Sequence, residues 1–211
     1  MIKIHCFENE LLSSMCYVVY DEELKRCIAI DPGSKNSENE IAFIESKRLT
    51  LDFIIITHEH TDHCYGVNAL KKRYTQSQVV FSEGCNKNIK KANRIFFQFY
   101  FDGVENLEEV IPTSDIIIQS SESILQWYNY TIRFQLTPGH SIGSMCISID
   151  NILFTGDTVL QFPPVFCGIG CDKDVWKKSV LEVLSLFKED VMVYPGHGEP
   201  FKLGEYKRYE I

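Results

Sequence analysis

The stretch Thr57-His58-Glu59-His60-Thr61-Asp62-His63 concentrates imidazole and carboxylate groups that can hold metal ions. In extended backbone, residues two apart share a face, so His58 and His60 can reach one ion while Glu59 points elsewhere. Asp62 and His63 are the next donors, and residues 67–74 read as a helix just beyond them. The chain has therefore turned, and this pair can face a second ion beside the first. Imidazole nitrogen with carboxylate oxygen suits Zn²⁺, and Fe²⁺ or Mn²⁺ are also accommodated. This local set cannot complete two sites, so further ligands must come from downstream.

Such donors stand in matching contexts: His140 in Thr137-Pro138-Gly139-His140-Ser141, Asp157 in Leu153-Phe154-Thr155-Gly156-Asp157-Thr158, and His197 in Tyr194-Pro195-Gly196-His197-Gly198. Each follows a short apolar, β-like run and a turn residue, which is how a sheet presents side chains from its strand ends. Asp31, in Ile28-Ala29-Ile30-Asp31-Pro32-Gly33, carries the same punctuation. A histidine in isolation is usually an ordinary partly buried side chain, but five of the chain's 6 histidines fall in this series, and only His5 stands outside it. For an aspartate before Pro or after Gly, turn formation is the competing reading. It suits Asp31, whereas Asp157 reads as a ligand.

In that order, Asp31, His58-x-His60-x-Asp62-His63, His140, Asp157 and His197 resemble the metallo-β-lactamase fold hydrolases, and within them the glyoxalase II-like branch. The match covers nearly the whole chain. The resemblance implies that His58, His60 and His140 bind one metal, that Asp62, His63 and His197 bind the other, and that Asp157 bridges them. Asp31 would orient the ligand loop through hydrogen bonds without touching metal. The resemblance also implies two zinc ions per chain and hydrolysis of a thioester or ester, in the manner of a hydroxyacylglutathione hydrolase. Metals paired ~3.5–4 Å apart lower the pKa of a bound water from 15.7 to about 7, so hydroxide is available as nucleophile. Asp62 would orient that water and accept its proton. No serine or cysteine nucleophile is required, and no nucleophile elbow is expected.

Within the same fold, persulfide dioxygenases place a single Fe²⁺ on positions matching His58, His140 and Asp157, so a mononuclear-iron persulfide dioxygenase is the alternative. The Gly-Arg-Thr-Asp-Phe-like run usual in those enzymes is absent from residues 168–176. A non-catalytic metal scaffold is disfavoured because no ligand position is lost. Full-length glyoxalase II enzymes carry a further helical domain that helps hold glutathione, whereas residues 201–211 are all that follow here. Their Gly-Cys-Gly-Lys run is replaced by Cys167-Gly168-Ile169-Gly170-Cys171. The expectation is a compact thioesterase or esterase.

The donors need strands to carry them. The run Leu51-Asp52-Phe53-Ile54-Ile55-Ile56 is too short for a globular helix and rich in β-branched residues, so it reads as a buried strand delivering the first ligands. Residues 1–4 also read as a strand, and residues 15–20 and 27–30 read as a hairpin around the charged turn 21–26. A helix is expected over residues 37–48. A second half then repeats the theme from about residue 116, with strands at 132–136, 146–149, 151–154 and 191–194 and a helix at 176–188. The resulting fold class is α/β (α+β): a four-layer αββα sandwich of two pseudo-repeated halves in one domain over residues 1–211, with the metals at one edge between the sheets. Between the halves, residues 86–94 read as a basic helix. The aromatic run 95–101 reads first as a strand on the core, or else as an apolar wall over the site or a dimer contact.

A net charge of -8 leaves no basic surface for phosphate backbones, so the expected partner is a small-molecule thioester or ester and not nucleic acid. There is no secretory n-region and h-region and no apolar run approaching the ~20 residues of a membrane span, so no membrane association and a cytoplasmic location are expected. The 8 cysteines are scattered without a CxxC pair and read as reduced, small hydrophobes.

Overall fold

The structure is a computed structural model that describes residues 1–100 and 114–207. Two six-stranded mixed sheets stack face to face. The first is ordered β1 (Ile2–Glu8), β2 (Met15–Asp21), β3 (Arg26–Ile30), β4 (Thr50–Ile55), β5 (Gln78–Ser82) and β6 (Ile116–Ile118). In the second, β7 (Ile124–Trp127) lies at one edge, followed by β8 (Tyr130–Leu136), β9 (Met145–Ile149), β10 (Ile152–Gly156), β11 (Met192–Pro195) and β12 (Phe201–Lys202). Helices α1 (Glu38–Ser46), α3 (Val67–Arg73) and α4 (Glu83–Tyr100) pack on the outer face of the first sheet, and α5 (Lys173–Leu186) on that of the second. A one-turn helix, α2 (Thr61–Cys64), caps the end of β4.

The period-2 alternation of the strands explains the layering. In β2, Tyr17 and Val19 point between the sheets while Val18 and Tyr20 face the helices. In β9, Met145, Ile147 and Ile149 join the same inter-sheet core beside Phe134 and Trp127 of the same sheet, and Cys146 turns outward to Trp176 and Val180 of α5. Strands covered on both faces read as continuous apolar runs, which is why β2, β3 and β4 were conspicuous as sequence. Polar ties hold the two sheets in register at opposite ends. Trp127 Nε1 donates to Asp52 Oδ2 at 2.8 Å, and Tyr17 OH donates to the Pro195 carbonyl at 2.5 Å.

Three expectations need correction. The aromatic run does not form a strand: α4 continues through Tyr100, because Ala92, Ile95, Phe96 and Phe99 recur at helical spacing along one side. Residue 101 of that run lies outside the described residues. Ile116–Ile118 does not begin the second sheet but pairs in parallel with β5 to complete the first. Strand β5 was not anticipated, nor were β7, the antiparallel partner of β8, and β12.

The expected cysteine chemistry matches the described residues, where all eight thiols are free and Cys16, Cys27, Cys64, Cys85 and Cys146 are buried. His5 stacks on Phe43 with ring centroids 4.3 Å apart, an ordinary packing role. Among the described residues, no helix is long and apolar enough to cross a membrane.

Candidate metal centre

Strands β3 and β4 run parallel, as do β10 and β11; β8 points the same way as β10 because β9 is antiparallel to both. Loops leaving the carboxyl ends of these five strands carry Asp31, the segment from Thr57 to His63, His140, Asp157 and His197. Hydrogen bonds between the sheets and within the second sheet clamp the ends together. Met145 N donates to Thr57 O at 2.9 Å, Met15 N to Gly196 O at 2.8 Å, and Gly196 N to Gly156 O at 2.8 Å.

All seven proposed ligand residues converge at this edge. One potential ligand atom from each of His58, His60, His140 and Asp157 lies within 4.8 Å of the others, and a second set unites Asp62, His63 and His197 at the same separation. Asp157 touches both sets: Oδ2 is 3.3 Å from His140 Nε2 and 3.5 Å from His197 Nε2, and Oδ1 is 3.6 Å from His63 Nε2. Asp62 Oδ2 lies 3.4 Å from both His63 Nε2 and His197 Nε2.

A hydrogen-bond chain from Asp31 sets the tautomers of two of these rings. The Asp31 carboxylate accepts from Thr57 N at 2.7 Å and from Thr57 Oγ1 at 2.6 Å. The threonine hydroxyl has one proton, already given to Asp31, so His58 Nδ1, 3.0 Å from Thr57 Oγ1, must be the donor of that contact. His58 Nε2 is left as a bare acceptor, buried and unpartnered. His63 Nδ1 lies 3.0 Å from Asp31 Oδ2 and donates to it, turning an unpartnered Nε2 toward the cluster. Asp157 Oδ1 is likewise buried without a partner. Orphaned acceptors gathered beside carboxylates are costly unless a cation sits among them, so the donor set fits a metal.

Electrostatics divide the cluster. Burial, reinforced by the neighbouring imidazoles, holds His58 and His140 well below the usual histidine range, and burial pulls His60 down to about 4. Burial also opposes a charge on His63, but Asp62 and Asp157 outweigh it and raise that ring; Asp62 does the same for His197. In return, Asp62 is held below the carboxylate range despite its burial, by His63 and His197. Burial raises Asp157.

Several supporting residues had no role in the sequence reading. Glu59 turns away from the ligands, as its position between two same-face histidines requires, and its Oε2 accepts from Ser141 Oγ at 2.9 Å and Gly143 N at 3.2 Å. It thereby ties the His58–His60 segment to the loop bearing His140. That loop, Gly139-His140-Ser141-Ile142-Gly143, does have G-x-S-x-G spacing, contrary to the expectation that no elbow motif occurs. It is not a nucleophile elbow, because it joins β8 to the antiparallel β9 with no following helix, and Ser141 is buried against Glu59 and Ser144.

Asn9 and Ser14 are a second surprise. Asn9 Oδ1 accepts from Gly33 N and Ser34 N, both at 3.0 Å, and Ser14 Oγ donates to the Asp62 carbonyl. No local pattern marks either residue. The Pro-Gly pairs, by contrast, have a visible purpose: a Cβ on Gly196 would lie 2.1 Å from Asp157 Oδ1 and 2.8 Å from His63 Cε1, so only glycine lets the donors close up.

Comparison with known proteins agrees with this architecture. Residues 10–197 match the metallo-beta-lactamase superfamily, and the chain belongs to that family. It is 30% identical to the "Probable polyketide biosynthesis zinc-dependent hydrolase BaeB" of Bacillus velezensis, over 93% of this chain and 78% of that protein. It is 28% identical to glyoxylase B2 of Dictyostelium discoideum, over 94% of this chain and 70% of that protein. Among solved structures, ETHE1 from Myxococcus xanthus superposes with a TM-score of 0.76 at 20% identity, covering 98% of this chain and 82% of that one. TTHA1623 in a di-iron-bound form gives a TM-score of 0.77 at 22% identity, covering 95% of each chain. At those identities the structural likeness concerns the fold alone.

Proposed function

We propose that this protein is a dinuclear metal hydrolase that cleaves a thioester or ester, with His58, His60 and His140 holding one ion, Asp62, His63 and His197 the other, and Asp157 between them. The observation that carries this reading is the second donor set. A mononuclear iron site has no use for Asp62, His63 and His197, yet all three converge here beside the first set. The zinc-dependent hydrolase name of the Bacillus velezensis relative supports the metal and the reaction class.

Bound at this site, two divalent cations, zinc in our reading, would supply an ionisable water and a Lewis acid for the substrate carbonyl. The chain's own groups do the rest. Asp62 faces the cleft and takes the proton of the attacking water. The water oxygen bonds to the acyl carbon, the carbon–sulfur or carbon–oxygen bond breaks, and the proton passes to the departing thiolate or alkoxide. Products are a carboxylic acid and a thiol or alcohol. Asp31, Thr57 and Glu59 keep the histidine loops from relaxing during this exchange.

The test is to strip the protein, reload it with Zn²⁺, Fe²⁺ or Mn²⁺, count bound metal, and assay thioesters, lactones, phosphodiesters and glutathione persulfide. Two zinc ions per chain with thioester or ester turnover are expected. One iron per chain with oxygen consumption on glutathione persulfide would overturn the proposal in favour of a dioxygenase.

A further inference from the structure

The donor cluster forms the floor of a cleft of about 870 Å³ whose walls differ sharply from its floor. His60, Asp62, His140, Asp157 and His197 line the bottom. One wall is the exposed side of α4, with Phe96 and Phe99; the other is the loop after β10, with Leu160, Phe162 and Val165. Leu12 closes the rim from the β1–β2 turn, held at φ 52, a left-handed conformation unusual for leucine. Among the described residues, no lysine or arginine lines the cleft, and its charged members are Glu59, Asp62 and Asp157. Glu59 is directed at Ser141 and Gly143, away from an incoming molecule.

An apolar trough continuous with a reactive floor selects by burial of hydrocarbon, and the lack of a cationic partner selects against a second carboxylate on the substrate. We propose that this trough is an acyl site. Resting on the hydrolase reading above, the substrate is a thioester or ester whose acyl group is an uncharged medium-length aliphatic or aromatic chain. That chain lies between α4 and the loop after β10, with its carbonyl over the donors. The continuity of wall and floor argues for a substrate and against a partner protein. A partner's contact surface has no need to run down to the donors.

The experiment uses the zinc-loaded protein and N-acetylcysteamine thioesters from acetyl to octanoyl, with ω-carboxylated counterparts. We expect kcat/KM to rise about two- to fourfold per methylene, from the transfer of each CH₂ out of water. An ω-carboxylate should lower it at least tenfold. Phe99 is 80% exposed, so Phe99→Asp leaves the core intact; it should cut the octanoyl-to-acetyl ratio at least tenfold.

Calorimetry with the octanoyl analogue in which CH₂ replaces sulfur reads the site without turnover. It should bind the native protein at least tenfold more tightly than the Phe99→Asp variant. A flat chain-length profile, a preference for the ω-carboxylates, or a Phe99-dependent dimer without chain-length selectivity would overturn the acyl site while leaving hydrolysis standing. Tight, Phe99-dependent binding of the analogue with no thioester cleaved would do the reverse.

Discussion

His58, His60 and His140 crowd against one another, with ring centroids 4.6 to 4.9 Å apart, whereas His63 and His197 meet across Asp62 and Asp157. The same side-chain chemistry therefore yields opposite electrostatics. In the first set, burial and neighbouring imidazoles hold His58 and His140 low, and burial pulls His60 down to about 4. In the second, Asp62 and Asp157 act against burial and raise His63 and His197. One half of the centre offers lone pairs, and the other offers negative charge for a cation to neutralise. Asp157 belongs to both halves, which makes it the residue through which they can be broken together or apart.

The largest effect should come from Asp157→Ala. Metal content is expected to fall below one ion per chain, and turnover by three orders of magnitude or more, on the order of what loss of a catalytic metal's activation of water removes. Elemental analysis and steady-state assay of the same sample check this. Retention of both metals would dissolve the idea of a shared ligand.

Asp31→Ala separates the halves. His63 loses its Nδ1 partner directly, while His58 keeps the Thr57 hydroxyl, so zinc affinity at the Asp62, His63 and His197 set should fall by about 10–100-fold and the other set by less. Competition with a chromophoric chelator, titrated in two steps, reads the difference. Equal losses at both steps would show that Asp31 supports the whole loop and not one ring.

Glu59→Ala tests the opposite half. It removes the link from the first histidines to Ser141 and Gly143, and stability should drop by about 1–3 kcal/mol with the chelator step of the His58, His60 and His140 set weakened. Burial pushes the Glu59 carboxyl up, so Glu59→Gln should recover much of the loss. Failure of glutamine to recover anything would assign Glu59 a role that needs its charge.

The smallest effect is a control remote from the metals. Asp21, at the far end of β2, is held below the carboxylate range by the Tyr130 hydroxyl and by the Leu24 and Glu23 amides. A lowered folded pKa adds stability above the unfolded value of about 3.9, and that stability disappears as pH falls through the folded value. Asp21→Asn should lower Tm by about 2–4 °C at pH 7, with the gap from wild type narrowing below about pH 4. The shift should be the same with and without chelator. A chelator-dependent shift would mean that the metal edge and the opposite edge unfold as one coupled unit.

Much of the fold could be read from the chain because a doubly covered strand must be apolar along its length. Residues 15–20, 27–30 and 51–56 declared themselves in that way. The aromatic run misled because a dense cluster of large apolar residues satisfies strand and helix patterns alike over seven positions. Its helical form emerged only from its continuity with residues 83–94. Strand β6 was assigned to the wrong half because its three isoleucines carry no mark of which sheet edge they complete.

For the centre, local spacing determined which side chains could act as donors. The rules that put His58 and His60 on one face and turned Glu59 aside operate within a few residues, so they can be read directly. What tertiary structure alone decided was the scaffolding across long separations: Glu59 meeting Ser141 across 82 positions, Ser14 reaching the carbonyl of Asp62 across 48, and α4 arriving opposite Val165 to wall the cleft. A buried polar atom is satisfied by whatever the packing of two sheets brings near. That partner is set by the global register of the fold and leaves no trace in the residues on either side.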